Sequence, residues 1–383
     1  MKKRIAYLLK HNLFAQKLYR ICGSFVLRLI GLFVKTDPKL IVFLSMMGTK
    51  YNDSPKAIYE YLQSKEQFKS YKMIWVFEHP ENFPEIPSVK LDTPRFFLTA
   101  LSAGYWISNT QFERGLTYKK KQTKYLFTQH GTAIKLCGND CPGRNDFDFR
   151  SVNCLCVQSE FDKYVLEHSF RARRECCIES GRPCNDRLWH ADDAEKQQIR
   201  ERLGLPEGKK IILYAPTWRD SKNNGNSYEI KPPIDLKKWE KYLSDQYIIL
   251  FRAHHITTKI MDVEFNDFIR DYSDYPDIND LFIASDILIT DYSSVIVDFS
   301  ILERPIISFA YDYDDYLKER GTYFDLDEEL PNKPCRTEQE LLNTIMTMDY
   351  DNQKERSLKF KSKYAQYGGN GVQAAVNALF GGQ

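Results

Sequence analysis

The sequence predicts an α/β protein of two domains, each built on a parallel sheet, preceded by a basic amphipathic helical segment. Three observations predict it. A chain of 383 residues with 43% apolar side chains has enough material to bury two cores of ordinary size. From Leu40 onward, short β-branched and aromatic runs alternate with helical stretches, the pattern that gives parallel sheets with covering helices. A charged stretch after Trp189 interrupts the alternation before it begins again.

Residues 1 to 38 form the leading segment. Lys2, Lys3, Arg4, Lys10, Lys17, Arg20, Arg28 and Lys35 face the single acid Asp37, while Leu18, Ile21, Phe25, Leu29 and Leu32 recur near helical spacing. A membrane-surface helix whose basic side chains meet anionic headgroups fits this pattern, and so does an ordinary core helix. The apolar run from Ser24 to Val34 is too short to span a bilayer and contains Arg28, so the expected attachment is peripheral.

Residues 39–190 read as the first lobe. LIVFLSM, YKMIWVFE, YWISNT, KYLFTQ and NCLCVQS are its strands, with a helix at SPKAIYEYLQS, an apolar run through Phe96, Phe97 and Leu98, and a helix from near Glu160. HADDAEKQQIRERLGLPEG is a helix and turn that leads into the second lobe, residues 191–383, with strands KKIILYAP, QYIILFRA, DILITD and PIISFAY. A helix from Lys354 to Tyr367 is broken at Gly368-Gly369-Asn370-Gly371, and VQAAVNALF is expected to close across the domains.

Composition narrows the function. With 54 basic against 52 acidic residues, no global field selects nucleic acid as a partner. Nine Cys, an odd number with no cleavable signal before them, fit a reducing cytoplasm, and no CxxC pair suggests structural zinc. The absence of GxxxxGK[ST] and of a strand-bound GxGxxG removes the best support for a P-loop or dinucleotide enzyme.

Ligands of open α/β sheets bind beyond the carboxyl ends of the strands, so polar residues there are the candidates. His130 follows KYLFTQ, with Gly131 allowing close approach and Thr132 and Lys135 adding a hydroxyl and a cation. A general base for an attacking hydroxyl and a structural histidine are both open readings. In the second lobe Thr217, Trp218 and Arg219 end one strand, and Arg252 and His254 end the next. The guanidinium offers a planar fork for phosphate oxygens. Asp291, Ser293 and Ser294 end a third strand and open a helix, as an anion site or as helix caps. Asp312, Asp314 and Asp315 mimic a metal-binding DxD but read better as a solvated acidic loop. Three rims converging on one edge suit a phosphate-bearing nucleotide.

The ordered segments GTKYNDSPKAIYEYL, QHGTAIK, GRPCNDRL, LGLPEGKKIILYAPTWRD, FRAH, DINDLFIASDILITDYSSVIVDFS, RPIISFAYDYDDY and RGTYFD resemble the CDP-glycerol glycerophosphotransferase family, which builds teichoic acids and related capsules. The resemblance implies a GT-B type fold of two Rossmann-like lobes. It also implies transfer of glycerol or ribitol phosphate from a CDP-alditol to a hydroxyl of a lipid-linked glycan, releasing CMP, at the cytoplasmic face of the membrane. No cofactor or metal is expected, and homo-oligomers remain open. His130 matches the family's proposed base, Arg252 and His254 its pyrophosphate-stabilising element, Thr217, Trp218 and Arg219 a donor-lining motif, and Ser293 and Ser294 its phosphate-binding turn. Asp291 belongs with that turn on the donor side, and Gly131, Thr132 and Lys135 with the acceptor side. Ala133 and Ile134 depart from the usual HGTP-Leu, Cys184 stands where Arg is frequent, and YGGNG replaces a DG-containing stretch. A nucleotide-sugar glycosyltransferase of the same fold and a noncatalytic envelope-assembly protein are the alternatives.

Overall fold

The computed structural model describes residues 12–217, 229–230, 233–253, 259–260 and 264–381. The first sheet has seven parallel strands: β1 (Asp37–Leu44), β2 (Lys72–Phe77), β3 (Ser88–Lys90), β4 (Ala103–Ser108), β5 (Lys124–Phe127), β6 (Cys154–Cys156) and β7 (Cys177–Ile178). Their spatial order is β3-β2-β1-β4-β5-β6-β7. Every residue from Leu40 to Leu44 in β1 is buried, the continuous apolar run of a strand covered on both faces.

The second lobe carries β8 (Lys210–Tyr214), β10 (Tyr247–Phe251), β12 (Ile269–Asp271), β13 (Ile287–Thr290) and β14 (Ile306–Ser308) in the order β12-β10-β8-β13-β14, again parallel. A separate parallel pair joins β9 (Glu229–Ile230) to β11 (Lys259–Ile260), in the loops after β8 and β10. All nine strands expected from the sequence are present. The unforeseen ones, β3, β7, β9, β11 and β12, are two or three residues long, too short to show a period.

The first described helix, Leu13–Phe33, lies on the first lobe by its small residues. Gly23 and Gly31 abut Leu116 and Leu101, and Ser24 and Leu27 are buried. The large apolar residues point away: Phe25, Leu32 and Phe33 are 67%, 78% and 85% exposed. Arg20 pairs with Asp146 at 2.6 Å, and Arg28 donates to the carbonyl and hydroxyl of Thr117, both at 2.7 Å. These two cations are therefore engaged by the protein itself. Among the described residues no helix is long and apolar enough to cross a membrane.

The chain passes to the second lobe through the short helix Asp186–His190, whose Leu188 enters that lobe's core. It returns at the end. Gly368 (φ +155°) lies so close to the Trp189 indole that any side chain there would collide. The helix Gly371–Phe380 then packs on the first sheet, where Phe380 meets Phe68, Tyr71 and Tyr105 with ring centroids 4.8, 5.8 and 4.4 Å away. Although the last helix follows the second lobe in sequence, its buried side chains belong to a first-lobe core.

Candidate active site

In each sheet the strand order reverses at one point, and there the loops at the carboxyl ends part to leave a crevice. In the first sheet that point lies between β1 and β4. Asn109, directly after β4, is fully buried and ties three strand ends together. Its side-chain oxygen accepts from the Met46 N–H at 2.9 Å, its amide donates to Ser45 Oγ at 3.2 Å, and its carbonyl accepts from His130 Nδ1 at 2.9 Å. A carbonyl can only accept, so Nδ1 carries a proton, and in the neutral ring the lone pair is then on Nε2. The imidazole is exposed, and the turn holding it is strained: Gln129, Met46 and Met47 all have positive φ.

Neighbours of His130 divide by orientation. Gly131 has φ +147° and lies against Ser294 of the other lobe, where a methyl group would collide with the Ser294 hydroxyl. Thr132, expected on the acceptor side, is turned inward: it is 1% exposed, and its hydroxyl meets Gln158 Nε2 at 3.1 Å and bonds to Asp162. Burial raises the Asp162 carboxyl to about 6. Lys135 forms a backbone bridge to Thr322 and so belongs to the seam between the lobes.

In the second sheet the reversal falls between β8 and β13. The Asp291 carboxylate, 2% exposed, accepts from the Thr217 N–H at 3.0 Å, the Thr217 hydroxyl and the Tyr292 N–H at 2.7 Å. These bonds tie the ends of β8 and β13 together. Ser293 and Ser294 are half-buried at the start of the helix Val295–Ser300. The Ser294 side chain makes no cap bond, so capping does not account for it. Arg252 follows β10 and is steadied by donating through Nη1 to the carbonyls of Tyr272 and Tyr275 at 3.1 and 2.7 Å. Trp218, Arg219 and His254 lie outside the described residues. Asp312 accepts from the Tyr292 hydroxyl at 2.9 Å, and Asp314 and Asp315 begin the adjoining helix.

Lys50, which sequence reasoning passed over, adds a cation from the loop after β1. Burial and then the charge of Arg252 push its ammonium below the ordinary range, which places the two cations within electrostatic reach of each other. Burial likewise lowers Arg252. Lys50 and Arg252 thus meet from the two lobes, and the loop of His130 meets the Ser293-Ser294 turn, a grouping of cations, hydroxyls and an imidazole at strand ends whose chemistry suits a phosphate-bearing ligand. Asn109, another unforeseen residue, obeys the strand-end rule that picked out His130.

The chain is similar over most of its length to known proteins. The CDP-Glycerol:Poly(glycerophosphate) glycerophosphotransferase family matches residues 26–380. A teichoic acid glycerol-phosphate transferase of Staphylococcus aureus is 36% identical over 82% of this chain and 85% of its own. A teichoic acid poly(glycerol phosphate) polymerase of Bacillus spizizenii is 30% identical over all of both chains. The wall teichoic acid polymerase TagF superposes with a TM-score of 0.79 at 31% identity over 95% of each chain, and has also been solved after soaking with CDPG. That likeness makes the two lobes a GT-B fold, as the sequence resemblance implied. With the family match running from Val26 to Phe380, the chain belongs to the CDP-glycerol:poly(glycerophosphate) glycerophosphotransferase family.

Proposed function

We propose that the protein transfers glycerol phosphate, or ribitol phosphate, from a CDP-alditol to a hydroxyl of a lipid-linked cell-envelope glycan, releasing CMP. The observation that carries this reading is the His130 imidazole, its Nδ1–H held by the Asn109 carbonyl at 2.9 Å, beside a turn that touches the Ser293-Ser294 turn of the other lobe. The acceptor hydroxyl gives its proton to His130 Nε2 as its oxygen bonds to the β-phosphorus. The bond from that phosphorus to the bridging oxygen breaks, and the electron pair leaves with CMP. Arg252 and Lys50 meet the growing negative charge, while Ser293 and Ser294 orient the donor phosphates.

The exposed face of Leu13–Phe33 supports a second part of the proposal, peripheral attachment to the membrane that holds the acceptor. The exposed Phe25, Leu32 and Phe33 supply the apolar contact for that attachment, while Arg20 and Arg28 are engaged by Asp146 and Thr117.

CMP release from CDP-glycerol and from CDP-ribitol, with a lipid-linked glycan acceptor, tests the transfer. Release that needs both the acceptor and His130, and falls about 100-fold or more in His130→Ala, is expected. Release of a nucleoside diphosphate from a nucleotide sugar, with none from either CDP-alditol, would replace this reading with glycosyl transfer.

A further inference from the structure

Away from the reacting groups, the seam between the lobes holds a buried polar cluster that the mechanism does not use. Asp298 lies one turn into the helix that follows Ser294 and is 4% exposed. It accepts from three first-lobe side chains: Arg182 through Nη1, Asn185 at 2.7 Å and Gln158 at 3.2 Å. Arg182 reaches on through Nη2 to Asp53 at 2.6 Å, at the start of the helix Asp53–Ser64. Gln158 also touches the hydroxyl of Thr132, two residues after His130. The cluster thus links the element bearing the Ser293-Ser294 turn to the loop bearing the imidazole.

Stability alone does not account for these residues. A buried ion pair is often matched or bettered by apolar side chains of the same volume, because desolvation offsets its attraction. What directional bonds add is a defined angle and register, whereas apolar contacts between domains permit sliding. Burial raises the Asp298 carboxyl, against which the adjacent Arg182 guanidinium acts. The two terminal nitrogens of Arg182 span Asp53 and Asp298, and among the described residues its buried Nε has no partner.

We infer that Asp298 and Arg182 are positioning residues for the transfer reaction, a clamp that sets the donor-side turn against His130 by fixing one lobe on the other. The inference rests on the transfer reading above. Displacement of reacting groups by about 1 Å is enough to slow an oriented reaction on the order of 100-fold.

The test compares the full-length protein with Asp298→Asn, Arg182→Lys and the double variant. It measures kcat and KM for CDP-glycerol, thermal melting, and hydrogen exchange of segments 130–136 and 293–300. Asp298→Asn is expected to lower kcat about 100-fold with donor KM changed less than about threefold, the signature of lost orientation rather than lost binding. The double variant is expected to be no worse than the poorer single one, as for residues acting as a unit. Exchange should quicken in both segments while β8 and β13 stay protected. Unchanged kcat in a folded Asp298→Asn protein overturns the clamp, as does a loss that tracks melting temperature and donor KM together. If the wild-type protein releases no CMP, the transfer reading fails separately. Exchange then decides: faster exchange in the two segments upholds positioning, and unchanged exchange removes it.

Discussion

Gly131 concentrates the demands of the cleft at one residue. Its φ of +147° excludes most side chains, and the Ser294 hydroxyl occupies the space a methyl group would need. Gly131→Ala is expected to cut CMP release on the order of 100-fold by forcing the lobes apart. Part of that loss should return in Gly131→Ala/Ser294→Gly, measured against Ser294→Gly alone, because the collision is relieved while the backbone strain and the missing Ser294 hydroxyl remain; steady-state rates of the three variants check it. Asp162, two bonds deeper, gives a pH signature. Its carboxyl titrates at about 6 when folded and near 3.8 when exposed, burial being the main cause. The folded state therefore holds a proton that the unfolded chain has lost, and stability from this group is present below about 4 and lost as pH rises through 6. Asp162→Asn should gain on the wild type by on the order of 2 kcal/mol between pH 4 and 7, read from denaturant melts across that range.

The element with the most to test is the helix Leu13–Phe33, because its face toward the protein is small and its outer face large. Gly23, Ser24 and Gly31 let it lie close to Leu116 and Leu101, leaving Phe25, Leu32 and Phe33 without protein cover. Burying one such side chain in lipid is worth about 2 kcal/mol, roughly thirtyfold in partitioning. Phe25→Asp and Leu32→Asp should each reduce vesicle flotation by at least that factor while leaving the melting temperature nearly unchanged. Arg20 and Arg28, engaged by Asp146 and Thr117, should add little to any salt dependence of flotation. Helical spacing shows which residues share a face but not which face the protein takes.

For the whole molecule, the return of the chain to its first lobe is the main organising event. Phe380 fills a pocket among Phe68, Tyr71 and Tyr105, and Lys124 Nζ donates to the Leu379 carbonyl at 3.1 Å. Phe380→Ala should destabilise the first lobe by about 3 kcal/mol, seen as a lower melting temperature. The last helix thereby closes the first lobe through residues 275 to 312 positions before Phe380, while Arg182 and Asp298, separated by 116 residues, fasten the lobes at the seam.

The sequence by itself determined the two parallel sheets, the breaks between their strands and the candidates His130, Arg252, Ser293 and Ser294. Those features are local: an apolar run long enough to have a pattern ends in a polar residue, and such ends face a crevice in any open α/β sheet. Tertiary structure alone decided that Thr132, Thr217 and Asp291 turn inward, that Lys50 joins Arg252, and that Asp298 gathers Arg182, Asn185 and Gln158. A side chain after a strand has the same local spelling whether it faces ligand or a neighbouring loop. Which it does depends on the partner that folding brings within hydrogen-bond reach, and here those partners come from distant segments or from the other lobe.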